Sequence, residues 1–413
     1  MDKYTVEGNL NYCAECITVG ELIHFDALDN LVGIPWRGYM ALVSKDIKPG
    51  TRMVMFPPES QLSEAVAYEH NLYSNASKNK DTTVKGYFGN TRRVKAIRLR
   101  GVPSNAFAAD ASWFDNPPVG TVFDTVDGVT ISRKYTTHKP QPQSKRKSGK
   151  QRVQFFPEHF DTGMYLRNPG CILTGDYVTI TQKIHGTSGR WGRVPVLRDL
   201  SWRERLAKRF GVPVNEYEHQ FVSGSRRVIK GISEGQQDFY DVDIWSEVGE
   251  TIKDRIPNDV MVYGEIIGWI GDQPIQKDYT YRIPQGEWRM YVYRVSVLSS
   301  DGTEYDLPWP AVEEFCENRQ LETVSVLASG MFYDTRKRFD TDEEFAEFWM
   351  DRHFYDEGYD ALPLSDDSPV DEGVVIRADN GITPTALKIK GPMFYEHESA
   401  AISAGVTDVE EEN

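Results

Sequence analysis

The second half of the chain contains the longest runs in which apolar and polar residues alternate. Five of these runs, bounded by polar turns, are typical of β-strands: Tyr177 to Gln182, Val260 to Ile267, Trp288 to Leu298, Gly373 to Arg377 and Ala386 to Lys390. Three segments with a helical period lie between them: Ser201 to Phe210, Ala311 to Arg319 and Asp342 to Phe354. Strands and helices in this order predict an α+β fold with antiparallel sheets.

The first part of the chain has a different pattern. Its alternating segments are short, as in Arg37 to Val43 and Arg93 to Leu99, and turn sequences such as KPGT at 48–51 separate them. This pattern predicts a small, mostly β domain, which we expect to be a barrel. The stretch from Tyr135 to Lys150 has prolines, serines and lysines but no apolar period, so it is the predicted boundary. We therefore expect two domains, 1–150 and 151–413, which suits a length of 413 residues.

Composition excludes several classes of protein. The chain is 39% hydrophobic and 26% charged, as globular proteins are. It has no run of 18 apolar residues and no secretory signal at its start, so we expect a cytoplasmic protein without a membrane span. Four cysteines fit a reducing compartment. Cys13 and Cys16 form one CxxC pair without a second pair or a suitably spaced histidine, which is too little for a zinc site.

The charge is strongly negative but unevenly distributed. The net charge of −15 argues against coating of nucleic acid by bulk electrostatics. Two basic clusters nevertheless occur, at 92–100 and at 133–152. They indicate either a polyanion site or a solvated strand edge and linker, and charge alone does not decide between these readings.

The segment 176–189 carries the first chemical signal. It reads DYVTITQKIHGTSG, so an alternating strand ends at Lys183 just before a glycine-containing turn. A lysine in this place can reach a phosphorus atom, and nearby cations would favour its uncharged, nucleophilic form. Taken alone, a surface lysine before a turn explains the pattern equally well.

Five further segments follow in a fixed order and strengthen this signal. They read SGSRR at 223–227, VYGEIIG at 262–268, MYVYR at 290–294, DEGVVIR at 371–377 and ALKIK at 386–390. The set resembles motifs I, Ia, III, IIIa, IV and V of the covalent nucleotidyltransferases, a superfamily that contains RNA ligases, DNA ligases and mRNA capping enzymes. The resemblance implies an antiparallel-sheet, ATP-grasp-like nucleotidyltransferase domain.

Two details favour one branch of that superfamily. The KIHGT sequence that begins at Lys183 resembles ATP-dependent RNA ligases of the RNA ligase 2 type. The 23 residues after Lys390 are too few for the C-terminal OB domain of DNA ligases and capping enzymes. The β-rich segment before residue 150 instead resembles the N-terminal OB domain of a group of RNA ligases.

The resemblance implies roles for individual residues. Lys183 would be the nucleophile that forms lysyl-AMP, Lys388 and Lys390 would meet the α-phosphate, and His185 would serve a later step on the polynucleotide. Glu372 would bind Mg²⁺ or Mn²⁺, which prefer carboxylate and phosphate oxygens. The implied nucleotide-binding residues are Gln182, Ile184, Gly186, Arg226, Glu265, Tyr293, Glu372, Lys388 and Lys390, with ATP as co-substrate.

Some positions depart from the RNA ligase 2 pattern. Gln182 stands where that type has Glu, Ser188 where it has Asn, and Tyr293-Arg294 where it has Phe-Asp. Either Tyr291 or Tyr293 can supply an aromatic stack for the base, because alternation puts both on one face, and the register with Phe-Asp favours Tyr293.

The expected activity is the joining of a 3′-hydroxyl to a 5′-phosphate at nicks in RNA-containing duplexes. The expected state is a monomer without a membrane partner. A DNA ligase, an mRNA guanylyltransferase and a non-catalytic OB-fold RNA-binding protein remain alternatives.

Overall fold

The computed structural model describes residues 2–136, 153–230 and 243–405. In the first of these ranges the strands are β1 Tyr4–Thr5, β2 Ala14–Thr18, β3 Leu31–Trp36, β4 Tyr39–Ser44, β5 Arg52–Phe56, β6 Ser60–Leu62, β7 Ile97–Leu99, β8 Val102–Ser104, β9 Phe107–Asp110, β10 Val122–Phe123, β11 Thr125–Val126, β12 Val129–Thr130 and β13 Ser132–Lys134. The helix α1 spans Glu64–Glu69.

These N-terminal strands are divided among several small sheets. The largest has the order β10-β2-β5-β9, a second has the order β1-β11-β12, and β3-β4, β7-β8 and β6-β13 are pairs. The pairings among the described residues do not close into a ring, so the OB-like barrel stays a prediction.

The two N-terminal strand predictions were too long. Arg37 and Gly38 form the two-residue turn of the β3–β4 hairpin, and both have positive φ, as this tight turn requires. In the segment 93–99, the strand is limited to Ile97–Leu99.

The remaining strands and helices build the C-terminal half. The strands are β14 Gly163–Met164, β15 Tyr177–Lys183, β16 Thr187–Leu197, β17 Tyr217–Ser225, β18 Val260–Ile270, β19 Gln273–Pro274, β20 Trp288–Leu298, β21 Glu304–Asp306, β22 Glu322–Thr323, β23 Val326–Met331, β24 Gly373–Ala378 and β25 Thr385–Ile389. The helices are α2 Trp202–Arg209, α3 Ile244–Ile252, α4 Trp309–Glu317, α5 Phe332–Arg336, α6 Asp342–Trp349 and α7 Pro392–Ser403.

Two sheets organise this half, and the α+β prediction is confirmed. One has five strands in the order β14-β25-β24-β15-β23, and the other has seven, built on the order β17-β16-β18-β20-β21. Most of their strand pairs are antiparallel; β14–β25 and β20–β22 are parallel. All five predicted strands and all three predicted helices exist; β20 has the predicted bounds, and the other elements have shifted ends. Helix α6 ends five residues earlier than predicted, and α4 begins two residues earlier, at Trp309, with Pro308 as its N-cap.

Helix α7 joins the two halves of the molecule. The Ser399 hydroxyl contacts the Glu59 carboxylate and accepts a hydrogen bond from Ala96 N at 3.0 Å. The Ser399 carbonyl accepts a hydrogen bond from Arg93, and Arg93 Nε lies 2.5 Å from Glu59 Oε2. Arg93 and Glu59 are both buried, so this ion pair lies inside the contact between the N-terminal sheets and α7.

The basic cluster at 92–100 is largely neutralised by acidic partners. Arg92 lies 3.3 Å from Glu64, Arg98 lies 2.8 Å from Glu396, and Arg100 lies 3.1 Å from Asp29. With Arg93 paired to Glu59, four of the five cations face carboxylates, so few of the charges in this cluster are unpaired. Most of the second basic cluster, at 133–152, lies outside the described residues, because the structure does not describe residues 137–152.

The described helices also bear on membrane topology. None of them is both long and apolar enough to span a membrane.

Replacing Arg93 tests the buried contact between the halves. Arg93→Ala leaves the Glu59 carboxylate buried without its counter-charge, and we expect a loss of about 3–5 kcal/mol in the free energy of unfolding. Arg100→Ala breaks an exposed ion pair, and we expect a loss of about 0–1 kcal/mol. Guanidinium denaturation curves measure both; equal midpoints for the two variants would contradict this account.

Candidate active site

A cleft between the two large sheets collects most of the residues singled out from the sequence. Its lining includes Gln182, Lys183, Ile184, Arg226, Glu265, Tyr293, Glu372, Lys388 and Lys390. His185 and Gly186 are not part of the lining, but they contact two of its residues, Glu372 and Glu265. The described structure thus brings residues from six separated segments to one place.

Strand pairing explains how Lys183 reaches the cleft. β15 is the fourth strand of the five-stranded sheet, lying between β24 and β23, and five of its seven residues are buried. Lys183 is its last residue and pairs with Gly373, the first residue of β24. This register places Glu372 beside the end of β15, where its carboxylate faces the lysine.

Lys183, Glu372 and Lys390 form what we call the lysine–glutamate cluster. Glu372 Oε1 lies 2.8 Å from Lys183 Nζ and 2.9 Å from Lys390 Nζ. Burial by itself raises the pKa of Glu372, but the two ammonium groups outweigh burial and hold that pKa well below its ordinary value. Burial lowers the pKa of Lys390, but Glu372 and Glu398 outweigh it and raise that pKa well above its ordinary value. Glu372 and Lys390 therefore each favour the charged form of the other.

His185 lies on the other side of Glu372. Its Nδ1 is 3.5 Å from Glu372 Oε2, and its ring packs edge-on against Tyr279 and Phe394, at centroid distances of 5.0 and 5.1 Å. The backbone N–H of His185 donates to the Tyr281 hydroxyl at 2.6 Å. The histidine is thus placed to orient Glu372, outside the lining of the cleft.

Glu265 fixes the turn that follows Lys183. Its two oxygens accept hydrogen bonds from Gly186 N at 3.1 Å and from the Ser188 hydroxyl at 3.0 Å. Ser188 pairs with Glu265 across β16 and β18, which explains the second contact. A Cβ on Gly186 would lie 2.3 Å from the Ile266 carbonyl oxygen, so the turn requires glycine for close backbone approach.

The Gln182 side chain is occupied by protein partners. Its amide donates to Leu362 O at 3.1 Å and to Asp371 Oδ1 at 2.7 Å, and its oxygen accepts from Leu362 N at 2.8 Å. Both amide protons are therefore used, and Gln182 holds the chain just before Glu372.

A β-bulge places the two candidate tyrosines, Tyr291 and Tyr293, in different surroundings. Tyr263 pairs with Arg294 and the next residue, Gly264, pairs with Val292, so Tyr293 is the extra residue on β20. The bulge interrupts the alternation that put Tyr291 and Tyr293 on one face. Tyr293 lines the cleft, 5.4 Å from the His159 ring, whereas Tyr291 packs in the core.

Arg226 is held by a residue that the sequence analysis missed. Its guanidinium forms an ion pair with Asp161, whose second oxygen accepts a hydrogen bond from Asn9 Nδ2 at 2.5 Å. Asn9 belongs to the N-terminal half. No motif marked Asp161, His159 or Asn9, because these residues reach the cleft through the packing of distant segments.

The N-terminal half contributes further to the same cleft. Tyr12 and Lys134 are part of its lining, and Lys134 Nζ lies 5.1 Å from the centre of the Tyr12 ring. Glu59 and Glu398 extend the lining toward α7. The cleft is therefore shared by both halves of the chain.

The side chains of the cleft can be compared with the ligands that the predicted Mg²⁺ or Mn²⁺ site requires. Among the described residues, no group of three or more His, Cys, Asp or Glu is placed to hold a metal ion. Glu372 offers one buried carboxylate beside the cleft, and a hard cation that brings water and phosphate ligands needs little more from the protein. The site therefore fits an ion bound together with a nucleotide.

The geometry defines a class of site: a strand-end lysine and a second lysine around one carboxylate, in a cleft between antiparallel sheets. The sequence profile of the RNA ligase family, described as "RNA ligase", matches residues 176–390, more than half of the chain. The chain belongs to the RNA ligase family. A comparison with curated proteins finds no match.

Solved structures share the fold over nearly the whole chain. A variant of the Naegleria gruberi RNA ligase with ATP and manganese is 15% identical, with a TM-score of 0.57, over 94% of this chain and 99% of that chain. A variant of the same ligase with AMP and manganese is 16% identical, with a TM-score of 0.58, over 93% and 98%. That ligase with pyrophosphate is 15% identical, with a TM-score of 0.58, over 94% and 98%. The likeness extends the shared fold beyond the region that the family profile matches.

The buried Asp371 predicts a pH dependence of stability. Burial raises the pKa of this carboxyl from 3.8 to about 6. The folded state then holds the proton more tightly than the unfolded chain does, so stability falls as the pH rises through the range from about 4 to 6. We expect the wild type to lose up to about 3 kcal/mol more than Asp371→Asn across this range. Denaturant titrations at each pH measure this, and parallel stability curves for the two proteins would contradict the burial argument.

Proposed function

We propose that the chain is an ATP-dependent RNA ligase that joins a 3′-hydroxyl to a 5′-phosphate through a lysyl-AMP intermediate. The observation that carries the proposal is the position of Lys183, at the end of a strand, facing Glu372 and Lys390 in the cleft. Family membership and the fold shared with a ligase solved with ATP and with AMP support the proposal.

In the first step, the Lys183 amine attacks the α-phosphorus of ATP. A new N–P bond forms, the bond to the bridging oxygen breaks, and pyrophosphate leaves. An ammonium group has no lone pair, so Lys183 must first lose a proton, and its contact with Glu372 favours the charged form. The pair must therefore separate before attack, and Lys388 and Lys390 can then neutralise the α-phosphate oxygens.

Two transfers follow. The 5′-phosphate of the RNA attacks the phosphorus of lysyl-AMP, which releases Lys183 and forms an adenylylated 5′ end. The 3′-hydroxyl then attacks the 5′-phosphorus, the phosphodiester bond forms, and AMP leaves. Each step is an in-line displacement, so positioning and charge neutralisation carry the catalysis.

Several residues would position the nucleotide. Tyr293 offers a ring for the base, and Glu265 retains acceptor capacity for ribose hydroxyls beyond its two hydrogen bonds. Arg226 would exchange Asp161 for a phosphate. Glu372 would hold Mg²⁺ or Mn²⁺ with the phosphates, and such an ion when bound offsets the negative charge of the reacting phosphate.

The domain assignment belongs to the same proposal. Residues 1–150 would form an OB-like domain and 151–413 the adenylyltransferase domain, with an RNA-containing nicked duplex as substrate. The resemblance to an OB domain implies that the N-terminal half contacts the polynucleotide. Because Tyr12 and Lys134 line the cleft, we propose that this half also contacts the nucleotide.

Replacing Lys183 tests the nucleophile. Lys183→Ala should abolish transfer of label from α-³²P-ATP to the protein, and Lys183→Arg should also fail because a guanidinium stays protonated. Lys337→Ala removes an exposed lysine that is paired with Asp334 and should label normally. Label that persists on the Ala variant after denaturing electrophoresis would refute the assignment. Labelled GTP and NAD in parallel reactions distinguish the proposed ligase from the alternatives.

Replacing Glu372 tests the carboxylate at the centre of the cluster. Glu372→Gln keeps the shape of the side chain but removes its charge, and we expect lysyl-AMP formation to fall by about 100-fold or more. Glu343→Gln makes the same change on an exposed residue of α6 and should be silent. Single-turnover labelling at several metal concentrations is the measurement. Normal labelling by Glu372→Gln at limiting metal would remove Glu372 from the site.

A further inference from the structure

Helix α2 is unusual because almost none of its surface packs against the rest of the protein. None of its eight residues is buried. Trp202 is 70% exposed, and Phe210, the residue that follows the helix, is 76% exposed. Large aromatic side chains normally pack in a core, so two that are this exposed, one on a short helix and one at its C-terminal end, are unusual.

The apolar residues of this helix form one row. Trp202, Leu206 and Phe210 are spaced four residues apart, so they lie along one side of the helix. At 100° per residue, Arg203 lies at one edge of this row and Arg205 and Arg209 at the other. We call this surface the α2 face: Trp202, Arg203, Arg205, Leu206, Arg209 and Phe210.

The other charged residues of the helix are used to fix it in place. Glu204 forms a capping box with Ser201 and an ion pair with Arg198, and Lys208 pairs with Glu216 at 2.6 Å. Arg203, Arg205 and Arg209 differ: no carboxylate among the described residues lies within ion-pair distance of them, and all three are exposed. Arg203 instead lies over the Trp202 ring, at 5.4 Å from the ring centre. The helix is thus anchored on one side and presents arginines without carboxylate partners on the other.

The charge of the α2 face is complementary to a polyanion. Three arginines without acidic partners occur here in a chain with a net charge of −15. Four of the five cations in the cluster at 92–100 are paired instead, with Glu59, Glu64, Glu396 and Asp29. Arginines beside exposed aromatic rings are the combination that binds nucleic acid strands, through phosphate contacts and base stacking.

The position of the helix limits which part of a substrate it can reach. β16 begins next to the cleft, where Ser188 is part of the lining, and ends at Leu197, just before α2. At about 3.3 Å per residue, the strand places the α2 face roughly 30 Å from Ser188.

We propose that the α2 face binds an RNA strand that flanks the nick, at a distance from the reacting ends. The arginines contact phosphates, and Trp202 and Phe210 stack on bases that are unpaired or at a strand end. This inference rests on the proposed ligase function, because it extends the path of the same substrate.

The experiment compares two changes that remove the same charge. The test variant is Arg203→Ala/Arg205→Ala/Arg209→Ala. The matched control is Lys3→Ala/Lys80→Ala/Lys337→Ala, which removes three exposed lysines that are paired with Asp115, Glu69 and Asp334. Fluorescence anisotropy measures binding of nicked RNA at several salt concentrations. The long substrate has single-stranded extensions on the nicked duplex. The short substrate ends within about 15 Å of the nick, which is half the estimated distance from the cleft to the α2 face, so it cannot reach that face.

For the long substrate, the proposal predicts that the arginine variant loses about two units of salt slope, near 0.7 for each phosphate contact. It predicts no change for the short substrate, and no change with either substrate for the lysine control. Trp202→Ala should weaken binding of the long substrate about tenfold, whereas Trp202→Phe should bind within about twofold of the wild type. An unchanged salt slope on the long substrate, or an equal loss on both substrates, would overturn the proposal.

Two further readouts separate the competing explanations. Anionic phosphatidylserine vesicles should bind the wild type and the arginine variant equally. If the arginine variant loses vesicle binding while its RNA binding is unchanged, the α2 face binds a membrane and the proposed RNA contact is refuted. Lysyl-AMP labelling should be normal in the arginine variant. If the wild type fails to label, the ligase function fails, while the RNA binding curves still decide whether the α2 face binds RNA.

Discussion

The site depends on one buried carboxylate held between two ammonium groups. Glu372 is 2% exposed, and its charge is tolerated there because Lys183 and Lys390 both contact the same oxygen. The arrangement in turn requires the antiparallel register of β15 and β24, and the hydrogen bonds that Gln182 makes to the segment before Glu372. If Lys183 is the nucleophile that we propose, its contact with Glu372 has to be broken by a rearrangement of charge when the substrates bind.

The same cluster connects the catalytic sheets to the rest of the molecule. Lys390 Nζ lies 3.5 Å from Glu398 Oε1 on α7. That helix begins at Pro392, two residues after Lys390. One turn of α7 contacts Glu59 and Arg93 in the N-terminal half through Ser399. The N-terminal sheets therefore pack against the helix that holds the second lysine, which gives a physical reason for both halves to line one cleft.

The sequence predicted the strands and the order of the motifs well, because alternation and spacing are local properties. It predicted less about what each side chain touches. The bulge at Tyr293 depends on the pairing of β18 with β20, and the partners of Gln182 lie in a segment far along the chain. The acidic partners of the basic cluster at 92–100 could not be predicted, because Glu59, Glu396 and Asp29 are distant from it in sequence. Helix α2 was predicted correctly as a helix, but periodicity cannot show that its apolar row is left exposed. Asp161 carried no pattern at all, and Lys134 stood out only as a member of the basic cluster at 133–152, so placing either in the cleft required the fold.

The central claim is that Glu372 holds Lys183 in its protonated, unreactive form. The direct measurement is the pH dependence with which an amine-acetylating reagent modifies Lys183, followed by mass spectrometry of the peptide that contains it, in the wild type and in Glu372→Gln. Without the carboxylate, Lys183 faces Lys390 with no counter-charge, so the account predicts that Lys183 reacts at a clearly lower pH in the variant. The modification of Lys337 provides an internal reference in both proteins. The same pH dependence for Lys183 in the two proteins would contradict the account.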